Sequence, residues 1–368
     1  MEIDNTYNIV TCITIIIILF GLIKKQSKIL FVIQLLWMYI LAAGNTLSID
    51  MGVHISIFEN AAYGNEIYDF LSVFANSLGL DFIGMNAILC VFSFTLIGYI
   101  INKYTNSPCF VASLLYIYPL TEYIIQKRFF TAFSIVLFAV IYFLFKKGWI
   151  YKLLFIISII IAGKIHSATF AYMVLLLTPI LENSKRRRFI IILCFIIILS
   201  TMPFIPNIME QFFGAKAILY FEVLHEKVKY PILNTILWTG FHLVFVYLYY
   251  RIYLTLKYMK IKDKYFIFAK HIHYLNLCSI LFIPLYVWEP TFFRYYRNLL
   301  ILNYIGISYI LPVGQIFLKN ILCKICIYVS YVIIAFICIY FFASAGFEAM
   351  IYPILFNNYF FDIFRMGI

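Results

Sequence analysis

Charge is scarce in this sequence. Asp, Glu, Lys and Arg make up 12% of its 368 residues, about half the roughly 25% of a soluble domain, which excludes a water-facing surface of ordinary composition. Nucleotide-binding signatures are missing too: there is no G-x-x-x-x-G-K-[ST] loop, no G-x-G-x-x-G after a strand pattern and no H-E-x-x-H. ATP-driven transport and zinc proteolysis therefore have no support. Cys323 and Cys326 have the C-x-x-C spacing, but no second Cys or His pair stands near them, so helix packing is favoured over a metal site. Cys12, Cys90, Cys194, Cys278 and Cys338 fall inside apolar runs, and no disulfide framework is implied. No cofactor and no metal are expected, and energy has to come from the substrate or a gradient.

What the chain has instead is apolar length. Hydrophobic residues are 65%, aromatics 20%, and mean hydropathy is +0.97. A membrane-crossing helix needs about 20 apolar residues. About twelve runs meet or approach that, at 8–23, 29–45, 83–102, 109–125, 129–145, 149–163, 167–181, 189–206, 233–252, 271–290, 298–317 and 325–345. The runs at 149–163 and 167–181 also read as one kinked or re-entrant element. The first run has Glu2 and Asp4 before it and no Lys or Arg, the reverse of a cleaved signal peptide. The expected fold is an all-α, polytopic transmembrane helix bundle forming one integral membrane domain over 1–368.

Orientation follows from the cations, which resist translocation. Most of the 28 basic residues lie in alternate breaks, such as Lys24, Lys25 and Lys28, Lys146 and Lys147, and Lys185 to Arg188; these breaks face the cytoplasm. All but Glu182 and Asp263 of the 16 acids lie on the other side, with both termini. The net charge of +12 is thus a topology signal spread over short loops, not the continuous basic face that a nucleic acid requires. Two external segments stand out. Residues 45–82 carry Asp50, Glu59, Glu66, Asp69 and Asp81 with no Lys or Arg, and 207–233 mix both signs and read as an interfacial connector or short amphipathic helix.

A few cations break the rule. Lys127 and Arg128 open the fifth run, Lys164 and His166 separate the sixth and seventh, and Arg294 and Arg297 separate the tenth and eleventh. Each alone fits snorkelling to the headgroups; clustered at one depth, they point to a site. Arg294 and Arg297, three apart, share a helix face, with Tyr295 and Tyr296 expected as interfacial aromatics. Guanidinium forks match phosphate oxygens in pairs. A diphosphate at the outer leaflet is the natural ligand, and a polyprenyl-diphosphate sugar carrier supplies one with its tail in the lipid. Breaking its sugar–phosphate bond needs no ATP once the leaving charge is neutralised. The acceptor hydroxyl needs a general base, for which His166, Asp50 and Glu289 are candidates.

These residues resemble a known family. Arg128-Phe129-Phe130-Thr131-Ala132 opening a span, the turn Lys146-Lys147, then Gly163-Lys164-Ile165-His166-Ser167-Ala168, and later Arg294-Tyr295-Tyr296-Arg297, look like the EpsG/Wzy-like bacterial exopolysaccharide and O-antigen polymerases. The acidic segment from Asp50 fits as well. Where the family has glutamine after the first arginine this chain has Phe129, so either Lys127 or Arg128 takes the matching place. The resemblance implies a bundle similar to the C-type glycosyltransferases. It implies transfer of a growing polyprenyl-diphosphate-linked glycan onto the next lipid-linked repeat unit, outside the bacterial inner membrane, with membrane lipids and a chain-length regulator as partners. An O-antigen ligase, another lipid-linked-sugar glycosyltransferase and a lipid-linked oligosaccharide flippase are the alternatives.

Overall fold

A computed structural model describes residues 5–62, 66–204, 207, 210, 231–258, 264–288, 290–309 and 351–361. Every named element among them is helical, and an isolated antiparallel bridge pairs Asn45 with Asn358. The chain divides into two compact units, residues 1–170 with 311–368, and residues 171–310.

The first unit opens with α1 (Asn5–Ile23) and α2 (Lys28–Ala43). The Ser27 hydroxyl starts α2 by accepting the Leu30 N–H at 3.2 Å, one of the donors a helix leaves unsatisfied at its start. Two short helices follow, α3 (Met51–Glu59) and α4 (Ile67–Ser77). Asp81 then caps α5 (Phe82–Tyr104) by accepting the Gly84 N–H at 2.7 Å. Next come α6 (Pro108–Ile117) and α7 (Leu120–Ile125), then α8 (Lys127–Ala139), which runs on through a π turn to Leu144, and α9 (Trp149–Ile165). The sequence of α8 is apolar on all sides after its first residues, the pattern of a helix enclosed by others. It is enclosed: α5, α7 and α9 pack around it, burying Ala132, Phe133, Val136 and Leu137 completely.

Lipid is as apolar as leucine, so helices there are joined by close packing and polar bonds. Between α1, α2 and α6, Gln34 donates to the Ser113 hydroxyl at 2.9 Å, Ser113 donates to the Ile18 carbonyl at 2.9 Å, and the Tyr116 hydroxyl donates to the Gln34 carbonyl at 2.6 Å. Gly21 lies at this crossing, where a Cβ would overlap the Gln34 amide and the Ser113 hydroxyl.

The second unit contains α10 (Thr178–Asn183), α11 (Arg187–Thr201), α12 (Pro231–Tyr258) and α13 (Lys264–Ser279). Pro284 cannot supply the N–H that an α-helix would return to residue 280, and from Ile280 to Val287 the chain winds on as a 3-10 helix. A 3-10 turn (Pro290–Phe293), α14 (Arg294–Arg297) and α15 (Leu300–Ser308) complete the unit. Its centre holds a polar network. Asn276 and Asn303 exchange amide bonds of 2.7 and 3.2 Å, and the Tyr296 hydroxyl donates to Asn276 at 3.2 Å. His242 stacks on Tyr296 with centroids 3.5 Å apart, held by Tyr286 and Ser279 at 2.9 Å each.

Among the described residues, five helices are long and apolar enough to cross a membrane: Phe82–Tyr104, Lys127–Leu144, Arg187–Phe204, Ile232–Tyr258 and Lys264–Val287. Shorter apolar helices lie at Ile9–Ile23, Lys28–Ala43 and Pro108–Ile117. Two of the expected runs are divided. The run 109–125 is divided into α6 and α7 where Pro119 interrupts the hydrogen-bond ladder. The run 167–181 is a 3-10 helix (Ser167–Leu177) and then α10, separated from α9 by His166 in extended conformation. The acidic segment 45–82 contains α3 and α4. The run 325–345, the end of 298–317, Cys323, Cys326, both termini and most of 207–233 lie outside the described residues.

Gly21→Ala is expected to cost about 1–3 kcal/mol by overpacking the α1–α2–α6 crossing, read as a lower unfolding temperature in detergent. Gly52→Ala, whose added Cβ meets open space, should leave that temperature unchanged or raise it.

Candidate functional site

The site in the first unit is organised by a break between helices. Gln126 leaves helical geometry at φ −94°, ψ 55°, ending α7 and starting α8 on the next residue. The break has two effects. It leaves the Ile125 carbonyl available, and the His54 ring of α3 donates to it from Nε2 at 3.0 Å. It also puts Lys127 and Arg128 on the first turn of an enclosed helix, with their side chains in protein.

Both cations are buried, at 5% and 7% exposure. Lys127 Nζ donates to the Asn45 side-chain oxygen at 3.2 Å and to the Ala42 carbonyl at 3.5 Å. Asn45 is turned toward it because its own amide N–H groups go to the Leu47 carbonyl at 2.9 Å and the Pro353 carbonyl at 3.3 Å. No carboxylate among the described residues lies within ion-pair distance of Lys127. Arg128 donates at 3.0 Å to Glu66 and at 3.0 Å to the Ile165 carbonyl, and its guanidinium lies 4.3 Å from the Tyr68 ring centre. Its Nε, also buried, has no partner among the described residues. Burial pushes the Tyr68 phenol up to about 12, so this aromatic is neutral and offers Arg128 the face of its ring.

His166 follows Ile165 directly. Its ring packs edgewise on Phe129 at 5.0 Å, and its Nδ1 accepts the Ala168 N–H at 3.3 Å. A neutral imidazole so bonded carries its proton on Nε2. The structure thus brings Lys127, Arg128 and His166 together. Lys164 is exposed, as a snorkelling lysine would be. Asp50 is half-buried and precedes α3, its carbonyl accepting the His54 N–H at 3.0 Å. Glu289 lies outside the described residues.

In the second unit, Arg294 and Arg297 are 4% and 5% exposed. The tyrosines between them are not interfacial as expected: both are buried. Tyr296 joins the amide network, and the Tyr295 carbonyl accepts the Tyr172 hydroxyl at 3.1 Å. This clamps the two middle residues of the four-residue turn that carries the arginines. Asn298 beside them is wholly buried, and neither atom of its amide has a partner among the described residues.

Sequence reasoning passed over Glu66, Tyr68, His54 and Asn45 as site residues. A signal existed for His54, which stands four residues after Asp50, on the same face if that stretch is helical. The pairing of Arg128 with Glu66 across 62 positions had none. Among the described residues, no group of three or more His, Cys, Asp or Glu side chains is placed to hold a metal ion.

Buried cations on the first turn of α8, beside a histidine, suit an anionic ligand. A family model matches residues 28–356. The chain belongs to the EpsG family. Membership, with the long apolar helices, makes it a membrane protein of the polysaccharide-polymerase-like kind. No curated protein and no solved structure matches this EpsG-family chain.

Burial, together with the charges of Lys127 and Arg128, lowers the His54 pKa from 6.5 to about 4, against the opposing bond to Ile125. Between those values the unfolded chain binds more protons than the folded one. Stability should therefore fall as pH drops from 6.5, by about 3 kcal/mol near pH 4. His54→Gln keeps an N–H donor for Ile125 and cannot titrate; thermal unfolding of this variant between pH 7 and 4 should lose that part of the slope.

Proposed function

We propose that this EpsG-family protein is a polymerase joining polyprenyl-diphosphate-linked oligosaccharide repeat units at the outer face of the bacterial cytoplasmic membrane. The observation that carries the reading is the burial of Lys127 and Arg128 together, with, among the described residues, neutral oxygens around the lysine and one carboxylate on the arginine. A buried charge left without a counter-charge costs several kcal/mol, and a diphosphate supplies that counter-charge. Arg294 and Arg297 form a second buried cationic pair, with Asn298 as a polar neighbour.

In the reaction, an acceptor hydroxyl oxygen bonds to the anomeric carbon of the donor glycan while the bond from that carbon to the phosphate oxygen breaks. Negative charge develops on the departing polyprenyl diphosphate, where Lys127 and Arg128 stabilise it more strongly than in the ground state. His166 presents Nε2–H beside Arg128 and donates to a substrate oxygen. The hydroxyl proton passes to a carboxylate, Asp50 or Glu289, because the lone pair of His166 Nδ1 already holds the Ala168 N–H. The diphosphate linkage supplies the driving force, so the reaction draws on neither nucleotide nor metal. A chain-length regulator fits as a partner of such an enzyme.

Arg128→Gln, Arg294→Gln and His166→Ala should each shorten the cell-surface glycan toward single repeats while the protein still inserts. For the arginines the loss corresponds to about 2–5 kcal/mol. Unchanged polymer length in all three, by gel analysis of extracted glycan, would refute the assignment.

A further inference from the structure

Glu66 has no place in the chemistry just described. Its carboxylate accepts from Arg128 at 3.0 Å, and its side chain is 38% exposed where that of Arg128 is 8%. The acid sits at the rim of the pair and the cation inside. Arg128 does not rely on Glu66 for its position, because the Ile165 carbonyl and the Tyr68 ring also hold it. A base would be badly placed here. It has to act across the sugar from the leaving group, whereas this carboxylate sits on the cation proposed to receive the leaving group.

We infer that Glu66 is the resident counter-ion of Arg128, occupying the seat of a substrate phosphate oxygen and exchanging with it when a diphosphate binds. The inference rests on the reading of Lys127 and Arg128 as a diphosphate seat. In the empty protein Glu66 spares Arg128 the cost of standing buried without an anion. In the loaded protein the diphosphate takes over, and the carboxylate, already near water, turns away from Arg128. Lys127 has no such resident among the described residues, and its ammonium rests on the Asn45 and Ala42 oxygens until the second phosphate arrives.

Exchange of this kind has a double signature. Removing the resident charge makes the empty protein less stable and, by linkage, makes it bind the incoming anion more tightly. The test uses purified full-length protein in neutral detergent with inorganic pyrophosphate as probe, reading the unfolding temperature and Kd by calorimetry. Glu66→Gln should lower the unfolding temperature without ligand, enlarge the pyrophosphate-induced rise, and tighten Kd about two- to fivefold, the range for a part-exposed ion pair. In the Arg128→Gln background the same change should have no effect on Kd. If Glu66→Gln fails to fold, Glu66→Asp, which draws the carboxylate back from Arg128, should show the same direction at smaller size. Lower stability with unchanged or weaker pyrophosphate binding would overturn the exchange and leave Glu66 a structural partner only. If pyrophosphate binds the wild type and Arg128→Gln equally, or binds neither, the diphosphate reading itself falls and the exchange with it.

Discussion

Positive charge held inside protein is the constraint around which this chain is built. Lys127, Arg128, Arg294 and Arg297 are all within a few per cent of complete burial. Taking an ion out of water costs several kcal/mol even after the surroundings relax, so each cation needs an arrangement that keeps it tolerable. The arrangements differ. Lys127 has neutral oxygens, Arg128 has a carboxylate, a carbonyl and a ring face, and the two arginines of α14 sit on a turn clamped through the tyrosines between them.

Those arrangements depend on departures from regular helix. The gap at Gln126 and the extended residue at His166 mark where helices stop and backbone carbonyls become free to accept. The Ile125 carbonyl takes the imidazole of His54 and the Ile165 carbonyl takes Arg128. An unbroken span would have used both inside its own ladder. In the second unit, the shift to 3-10 winding near Pro284 precedes the turn that carries Arg294. Interruption of the helices and construction of the site are therefore one event in the chain.

The sequence makes part of this legible. Helix identity over α5, α8, α11, α12 and α13 follows from apolar run length, which is a local property. Lys127, Arg128, Arg294 and Arg297 stood out because they defied the charge bias, and burial is the opposite of what snorkelling would give. Other features were illegible because they rest on contacts far apart in sequence. Glu66 looked like one acid among five in a polar segment, and only the packing of α4 beside α9 places it on Arg128. Tyr295 and Tyr296 carry the composition of interfacial aromatics, yet Asn276, Asn303 and His242 draw Tyr296 inward. The split at Pro119 was open to a reader of the sequence; α3 and α4 were obscured by the charge of their segment.

Asn45 connects this to how the protein is made. Its side chain bonds the Pro353 carbonyl, 308 positions away, and that bond turns its oxygen toward Lys127. During synthesis, α2 and α8 emerge long before residue 353, so the acceptor of the lysine waits with the Leu47 carbonyl as its one anchor. The seat is finished by a segment 308 positions further on, a late closure of the kind that slows folding when contacts lie far apart in sequence. A fragment lacking that segment would carry a buried ammonium whose neighbour is held at one point and free to turn its oxygen away.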